Sequence, residues 1–335
     1  MANDRKRRIV LCYPVERKHI AEIQASAPHD EVVDAGQEGV AEELLEADIF
    51  CGHAKVPVPW SEVVSKGRLQ WIQSSAAGMD HCLVPEVIDS EITVSSASGL
   101  FAHQVAEQTM ALLLGLIRSF PTFFRAQEKR EFIRRPTDDL RGKTIGLVGF
   151  GGNGRRIAEV LAPWNVRILA TDTFPVQRPA HVNELLPASQ LDDLLKVADV
   201  VILCVPLNAR TAGFFGARQF AAMKQNSYFV NVARGQVVDE AALIHTLNDG
   251  RLAGAGLDVT ETEPLSPTSK LWTLPNVIIT PHVGAQSADR VDVSTRFFCE
   301  NLKRIDQGKP PLNLVDKHLG FPLPEHHQGL SEAQR

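Results

Sequence analysis

Residues 144–154, Thr144-Ile145-Gly146-Leu147-Val148-Gly149-Phe150-Gly151-Gly152-Asn153-Gly154, decide the fold. A short apolar run of strand character enters G-x-G-x-x-G, and a helical pattern, Asn153–Leu161, opens directly from it. In a strand–turn–helix unit each glycine has a separate task. Gly149 makes the tight turn, Gly151 with its neighbour Gly152 lets backbone approach a pyrophosphate, and Gly154 lets the helix pack close to the strand. The pyrophosphate then rests on the unpaired amides at the helix N-terminus, so Gly149, Gly151, Gly152, Asn153 and Gly154 are the expected coenzyme contacts.

The next strand, Arg167–Thr171, runs into Asp172, 18 residues after Gly154. A carboxylate there accepts hydrogen bonds from an adenosine ribose and repels a 2′-phosphate. Thr173 and Phe174 follow, and the first basic residue beyond is Arg178. The expected cofactor is therefore NAD rather than NADP.

Outward from this unit the strand–helix alternation continues. Strands are expected at Thr144–Val148, Arg167–Thr171, Val200–Val205, Tyr228–Val232, Ala255–Val259 and Val277–Thr280. An earlier series is expected at Ile9–Tyr13, Glu31–Asp34, Asp48–Cys51, Leu69–Gln73 and Ile92–Ser95, with helices such as Val15–Ser26 and Val40–Glu46 between. Such alternation argues for parallel sheets with crossover helices. Val105, Thr109, Leu112 and Leu116 give Phe101–Arg118 a helical period, and Ala288–Ile305 carries a second apolar stripe. At 335 residues the chain holds about two domains at ~150 residues each.

Composition narrows the function classes. Apolar residues are 44%, charged residues 22%, and net charge is −5. That excludes a largely disordered chain and argues against a nucleic-acid partner. No apolar run approaches the ~20 residues of a membrane span. Met1–Arg8 leads straight into a strand, with no signal-like apolar stretch, and the five cysteines are scattered without a C-x-x-C pair. A cytoplasmic protein is expected, with no metal site: His53, His81 and His103 lack ligand spacing.

Three further segments lie just past strand ends: Asn231-Val232-Ala233-Arg234-Gly235, Asp258-Val259-Thr260-Glu261-Thr262-Glu263-Pro264 and Thr280-Pro281-His282-Val283-Gly284-Ala285. The carboxyl ends of strands in a doubly wound sheet meet at the ligand crevice, so Arg234, Glu263 and His282 are expected to converge. Val205, Pro206, Thr211, Ala233, Arg234, Asp258, His282 and Gly284 are assigned to the coenzyme site as well.

With these segments in this order, the sequence from about Leu69 to Asn313 resembles the D-isomer-specific 2-hydroxyacid dehydrogenase family. The resemblance implies an α/β protein of two doubly wound parallel-sheet lobes, a Rossmann coenzyme domain inserted into a flavodoxin-like substrate domain. It sets expected boundaries of 1–100 plus 290–320 for the substrate domain and 101–289 for the coenzyme domain. Residues 321–335 are expected to be a frayed tail. His282 would protonate the carbonyl oxygen while hydride reaches the carbon, and Glu263 would orient the ring and favour its charged form. Arg234 would grip the carboxylate of a 2-oxo acid with two parallel hydrogen bonds. The loop Ser74-Ser75-Ala76-Ala77-Gly78-Met79-Asp80 matches the family's carboxylate-binding amides, assigned here to Ala77 and Gly78.

Departures from the family pattern refine the expectation. Glu263 differs from the glutamine of a formate dehydrogenase in this superfamily. Phosphoglycerate-type relatives present an arginine near the position of Cys51, so a small unphosphorylated acid such as glyoxylate or hydroxypyruvate is favoured. Lys55 is read as a solvated surface residue. The basic stretch Arg125–Arg135 is read as a solvated helix face or dimer arm, with Phe132 as the aromatic that could reach a partner's site in a homodimer. Alternatives are 3-phosphoglycerate dehydrogenase activity, an NAD(H)-sensing regulator resembling the corepressors of this fold, or a lyase or hydrolase that uses bound NAD transiently.

Overall fold

The computed structural model describes residues 6–174 and 177–326. The chain forms two compact units, Met1–Phe101 with Ser287–Arg335, and Ala102–Gln286.

The first unit is built on five parallel strands, β1 (Arg8–Cys12), β2 (Glu31–Asp34), β3 (Ile49–Gly52), β4 (Trp71–Ser74) and β5 (Thr93–Ser95), in the order β2-β1-β3-β4-β5. This is the flavodoxin-like order. Alternate residues of β1 and β3 feed opposite faces, as a period of two requires. Val10 and Phe50 pack with Trp60, Ile72 and Val87 on one side. Ile9, Leu11 and Ile49 pack with Trp71, Phe298 and Leu302 on the other. Phe298 belongs to the long helix Arg290–Asp306, which rejoins this unit after the chain has left it.

The second unit is a seven-stranded parallel sheet. Its strands are β6 (Thr144–Val148), β7 (Arg167–Asp172), β8 (Glu184–Pro187), β9 (Val200–Leu203), β10 (Ser227–Asn231), β11 (Leu252–Leu257) and β12 (Val277–Ile279). The order β12-β11-β10-β9-β6-β7-β8 is that of a Rossmann sheet, with the direction of strand addition reversing between β6 and β9. The central strands are apolar on both faces because helices cover both.

Two strands differ from the sequence pattern for physical reasons. β8 is an exposed edge with Pro187 at its end, a composition that reads as loop. β11 begins three residues earlier than Ala255 because Gly254, which reads as a strand breaker, belongs to it, as Gly256 does. Those glycines bring the helix Ala102–Ile117 close. A Cβ on Gly254 would stand 3.1 Å from Leu116 Cδ2, and one on Gly256 3.0 Å from Leu112 Cβ. Leu112, Leu113 and Leu116 are buried there, at about 1.5–3 kcal/mol each.

Two other expectations are corrected. Of the stretch Arg125–Arg135, read as a solvated helix face or dimer arm, only residues 125–128 are helical, in Phe120–Glu128, and the helix ends as Arg130 adopts a left-handed φ of 58°. Residues 321–326 of the expected frayed tail are ordered. In the antiparallel pair β13 (Val315–Asp316) and β14 (Phe321–Pro322), Phe321 pairs with Asp316. The Asn313 amide also donates to His326 O. The remainder of the tail, 327–335, lies outside the described residues, as do Pro175 and Val176 after Asp172.

Candidate active site

The turn after β6 shows the three glycine roles as distances. Gly149 has φ 96°, and a Cβ on it would stand 3.0 Å from the Cys204 carbonyl and 3.1 Å from Val205 Cγ1. A Cβ on Gly154 would fall 2.3 Å from Gly149 O, so only glycine lets the helix Gly152–Leu161 start against the strand. Gly151, the residue before that helix, has nothing within 4 Å of its Cβ position. Open space therefore faces the helix N-terminus, where the first-turn amides of Gly152 and Asn153 have no intrahelical acceptor. This cradle fits the pyrophosphate of a dinucleotide.

Asp172 does more than the sequence pattern required. Its Oδ2 accepts from the Phe150 amide at 2.7 Å and its Oδ1 from the Phe174 amide at 2.9 Å. The carboxylate is thus fixed beside the glycine turn and helps to shape it. Thr211 closes the loop after β9, donating to Pro206 O at 2.6 Å and accepting from the Asn208 amide at 2.9 Å.

Arg234 is set by Asn231, the last residue of β10. The buried Asn231 side chain donates to Arg234 O at 3.1 Å and accepts from the Ala233 amide at 3.0 Å. Gly235 then passes so near the next segment that a Cβ would lie 1.8 Å from Thr260 O. The turn carrying Arg234 and the segment carrying Glu263 are therefore in backbone contact.

Glu263 and His282 are in direct contact. Glu263 Oε2 lies 2.8 Å from His282 Nδ1, and the Thr260 amide donates to Glu263 Oε1 at 3.2 Å. Burial pushes the Glu263 carboxyl upward, but the hydrogen bond and charge of His282, the Thr260 amide and the charge of Arg234 together hold it below the usual carboxylate value. His282 has a left-handed φ of 54°, a conformation that costs an ordinary residue about 1–2 kcal/mol. Its amide donates to Asp258 O at 2.7 Å. Asp258 is buried, and its carboxylate accepts from Thr280 Oγ1, the Val283 amide and the Gly284 amide at 2.7–3.0 Å. Asp258, read from sequence as a coenzyme contact, thus also organises the loop that presents His282.

A family model, the NAD-binding domain of D-isomer-specific 2-hydroxyacid dehydrogenases, matches residues 110–284. The chain belongs to this family.

Relatives of this 2-hydroxyacid dehydrogenase include a glyoxylate reductase of Thermofilum pendens, 34% identical over 267 residues, 75% of this chain and 76% of that protein. A D-3-phosphoglycerate dehydrogenase of Methanocaldococcus jannaschii is 30% identical over 84% of this chain but 54% of its own length. Among solved structures, a D-isomer specific 2-hydroxyacid dehydrogenase from Xanthobacter autotrophicus Py2, in complex with NADPH and MES, superposes with a TM-score of 0.80. The two share 28% identity over 95% of this chain and 100% of that one. A nicotinamide dinucleotide is accordingly the cofactor class.

The other sequence-derived residues of the dehydrogenase lie in the first unit. Ala77 and Gly78 follow β4 in a loop pinned by the Ala76 amide on Ser74 Oγ (3.1 Å) and by the Ala97 amide on Ala76 O (3.0 Å). Cys51 is buried in β3, and its thiol is pushed upward by burial. Lys55 is exposed, and the His53 and His81 rings stack at 4.0 Å. Among the described residues no helix is long and apolar enough to cross a membrane. Sequence reading missed Gln108, whose amide donates to Thr280 Oγ1 at 2.8 Å from a helix 172 residues away in the chain. No local signal could have announced that pairing.

Proposed function

We propose that this chain is an NAD-dependent reductase of a small unphosphorylated 2-oxo acid, of the glyoxylate or hydroxypyruvate kind, giving the D-2-hydroxy acid. The observation that carries the reading is the 2.8 Å Glu263–His282 contact in the unit that also holds Arg234 and the glycine cradle. When bound, the nicotinamide exchanges hydride with the substrate carbon. His282, held through Nδ1 by Glu263, presents Nε2 to give a proton to the carbonyl oxygen in reduction and to take it back in oxidation. Arg234 offers a planar fork of donors to the substrate carboxylate and polarises the adjacent carbonyl. Asn231 and Gly235 keep that arginine beside the Glu263 segment.

The choice of NAD rests on Asp172. Two backbone amides hold its carboxylate at the end of β7, where a 2′-phosphate would meet a fixed negative charge. The names of relatives cover both glyoxylate reductase and phosphoglycerate dehydrogenase. Cys51, buried and uncharged at the place expected for a phosphate-binding arginine, favours the first. A homodimer is part of the reading: Phe120, Phe124, Phe132 and Ile133 expose apolar surface along one stretch of chain, with Phe132 94% exposed. So is a reducing cytoplasm, since all five cysteines are free thiols.

The test follows NADH absorbance with glyoxylate, hydroxypyruvate, 3-phosphohydroxypyruvate, pyruvate and a branched 2-oxo acid. Rapid loss with glyoxylate or hydroxypyruvate, abolished in His282→Asn, is expected. Turnover of the phosphorylated acid alone would replace the substrate, and tight NADH binding without turnover of any acid would replace the reductase by a sensor.

A further inference from the structure

The loop presenting His282 is held from a helix that takes no direct part in the proposed chemistry. Gln108 stands half-buried on the helix Ala102–Ile117, and its amide donates to Thr280 Oγ1 at 2.8 Å. Thr280 Oγ1 in turn donates to Asp258 Oδ1 at 2.7 Å. The direction is fixed by chemistry. A carboxylate only accepts, so the single hydroxyl proton points to Asp258, and Gln108 must supply its NH₂ to the hydroxyl oxygen. Asp258 then takes the amides of Val283 and Gly284, the two residues after His282, at 3.0 and 2.8 Å.

The fit around this chain of bonds is close. A Cβ on Gly284 would lie 2.8 Å from Asp258 Oδ2 and 3.7 Å from Gln108 Cγ, so glycine alone lets the backbone pass there without displacing the carboxylate. The chain also joins the element that opens the second unit, the helix beginning at Ala102, to the loop just before its end at Gln286.

We propose that Gln108 is a positioning residue for His282, acting through Thr280 and Asp258. The inference rests on the reading of His282 as the acid–base group. A left-handed histidine relaxes toward other backbone conformations unless its neighbours over-determine it. Hydrogen bonds in a partly buried chain polarise one another, so the Asp258 end is strongest when the Gln108 end is in place. Without Gln108 the loop samples conformations in which Nδ1 leaves Glu263. Proton transfer then fails part of the time, while groups that bind the substrate carboxylate are untouched. The effect falls on kcat and spares KM.

The experiment compares wild type, Gln108→Met, Thr280→Val and Thr280→Ser by steady-state reduction of glyoxylate and by amide hydrogen exchange at Val283 and Gly284, with thermal midpoints as a control for global unfolding. Gln108→Met is expected to lower kcat about three- to tenfold with KM within about twofold, and to speed exchange at both amides. Thr280→Val moves both readouts further in the same direction, and Thr280→Ser, which keeps the hydroxyl, restores most of the loss. Unchanged exchange in Gln108→Met, or a rise in KM at constant kcat, overturns the proposal. If wild type reduces no 2-oxo acid, it is the reductase reading that fails. The exchange comparison then still decides the clamp: faster exchange supports it, and unchanged exchange overturns it.

Discussion

Glu263 is bonded at both oxygens: Oε2 to the His282 ring at 2.8 Å and Oε1 to the Thr260 amide at 3.2 Å. The second bond fixes the carboxylate in its own segment, so the first fixes the ring. Glu263→Gln can keep an acceptor for Nδ1, but it removes the negative charge and puts a donor NH₂ against the Thr260 amide in place of the acceptor Oε1. The charge pairing with His282 that helps to hold the Glu263 carboxyl below its usual value is then gone, and the pH profile of reduction is expected to change. At neutral pH the reductive rate is expected to fall about tenfold to a hundredfold. Full pH–rate profiles of wild type and variant check this, and superimposable profiles would remove the role given to Glu263.

Arg234→Lys separates charge from geometry. Lysine keeps the positive charge but loses the planar fork that aligns a carboxylate through two parallel bonds. A loss of about a hundredfold in kcat/KM for the oxo acid is expected, because misaligned hydride acceptors react slowly even when bound. The thermal midpoint should move little, since Asn231 and the close approach of Gly235 hold the turn and the guanidinium adds a bond from Nη1 to Ala233 O at 2.8 Å. A defect confined to coenzyme affinity would assign Arg234 to the dinucleotide instead.

The glycine turn and the Arg234, Glu263 and His282 segments were legible in the sequence because their chemistry demands particular residue types at strand ends. What holds them was not. Asp258 and Thr280 lay in view within quoted motifs, but their bonds are made across space, and Gln108 reaches Thr280 over 172 residues of chain. β11 starts ahead of the expected Ala255 because Gly254, which looks like a strand breaker, here makes room for Leu116. The basic stretch Arg125–Arg135 reads as a solvated helix face or dimer arm, yet the helix stops at Glu128 and Arg130 turns left-handed.

In the proposed reading, coenzyme choice turns on Asp172. Its charge costs nothing against a ribose 2′-hydroxyl and opposes a 2′-phosphate. Like charges brought together cost several kcal/mol, and each 1.4 kcal/mol is about tenfold. Wild type is therefore expected to prefer NADH over NADPH by roughly a hundredfold in kcat/KM, and Asp172→Asn to narrow that ratio at least about tenfold. Because Asp172 also accepts from the Phe150 amide, the variant should lose some affinity for NADH itself. A wild-type preference for NADPH would refute the assignment.

Acid stability offers a check away from the active site. Asp199 accepts from the Thr144 amide at 2.8 Å, at the start of β6, and pairs with Lys224. Burial pushes its carboxyl upward, but Lys224, the Thr144 amide and Lys143 hold it below the usual value. A depressed carboxyl stabilises the fold above its unfolded pKa of about 3.9, and the contribution fades as pH falls through the folded value. Asp199→Asn should lower the thermal midpoint at pH 7 by roughly 3–6 °C, the worth of about 1.5 kcal/mol. The gap between variant and wild type should narrow as pH falls through the depressed folded value of Asp199. A gap that is constant with pH would mean that charge is not what Asp199 contributes.

Two alanine substitutions in one turn should fail in opposite ways. At Gly154 the new methyl would sit 2.3 Å from Gly149 O, so helix and strand must part. Gly154→Ala is expected to lower stability by about 1–3 kcal/mol, the usual cost of overpacking, and to weaken coenzyme binding only as a consequence. At Gly151 the backbone has φ −75° and the Cβ direction is empty, so alanine is accommodated by the fold. In the proposed reading, that empty space is where the pyrophosphate would approach the helix amides. Gly151→Ala should leave the thermal midpoint of the free protein within about two degrees while raising the NADH dissociation constant about tenfold or more. Calorimetry of each variant with and without NADH separates the two. Equal loss of stability in both would mean that the open side of Gly151 is packing space rather than the coenzyme's seat.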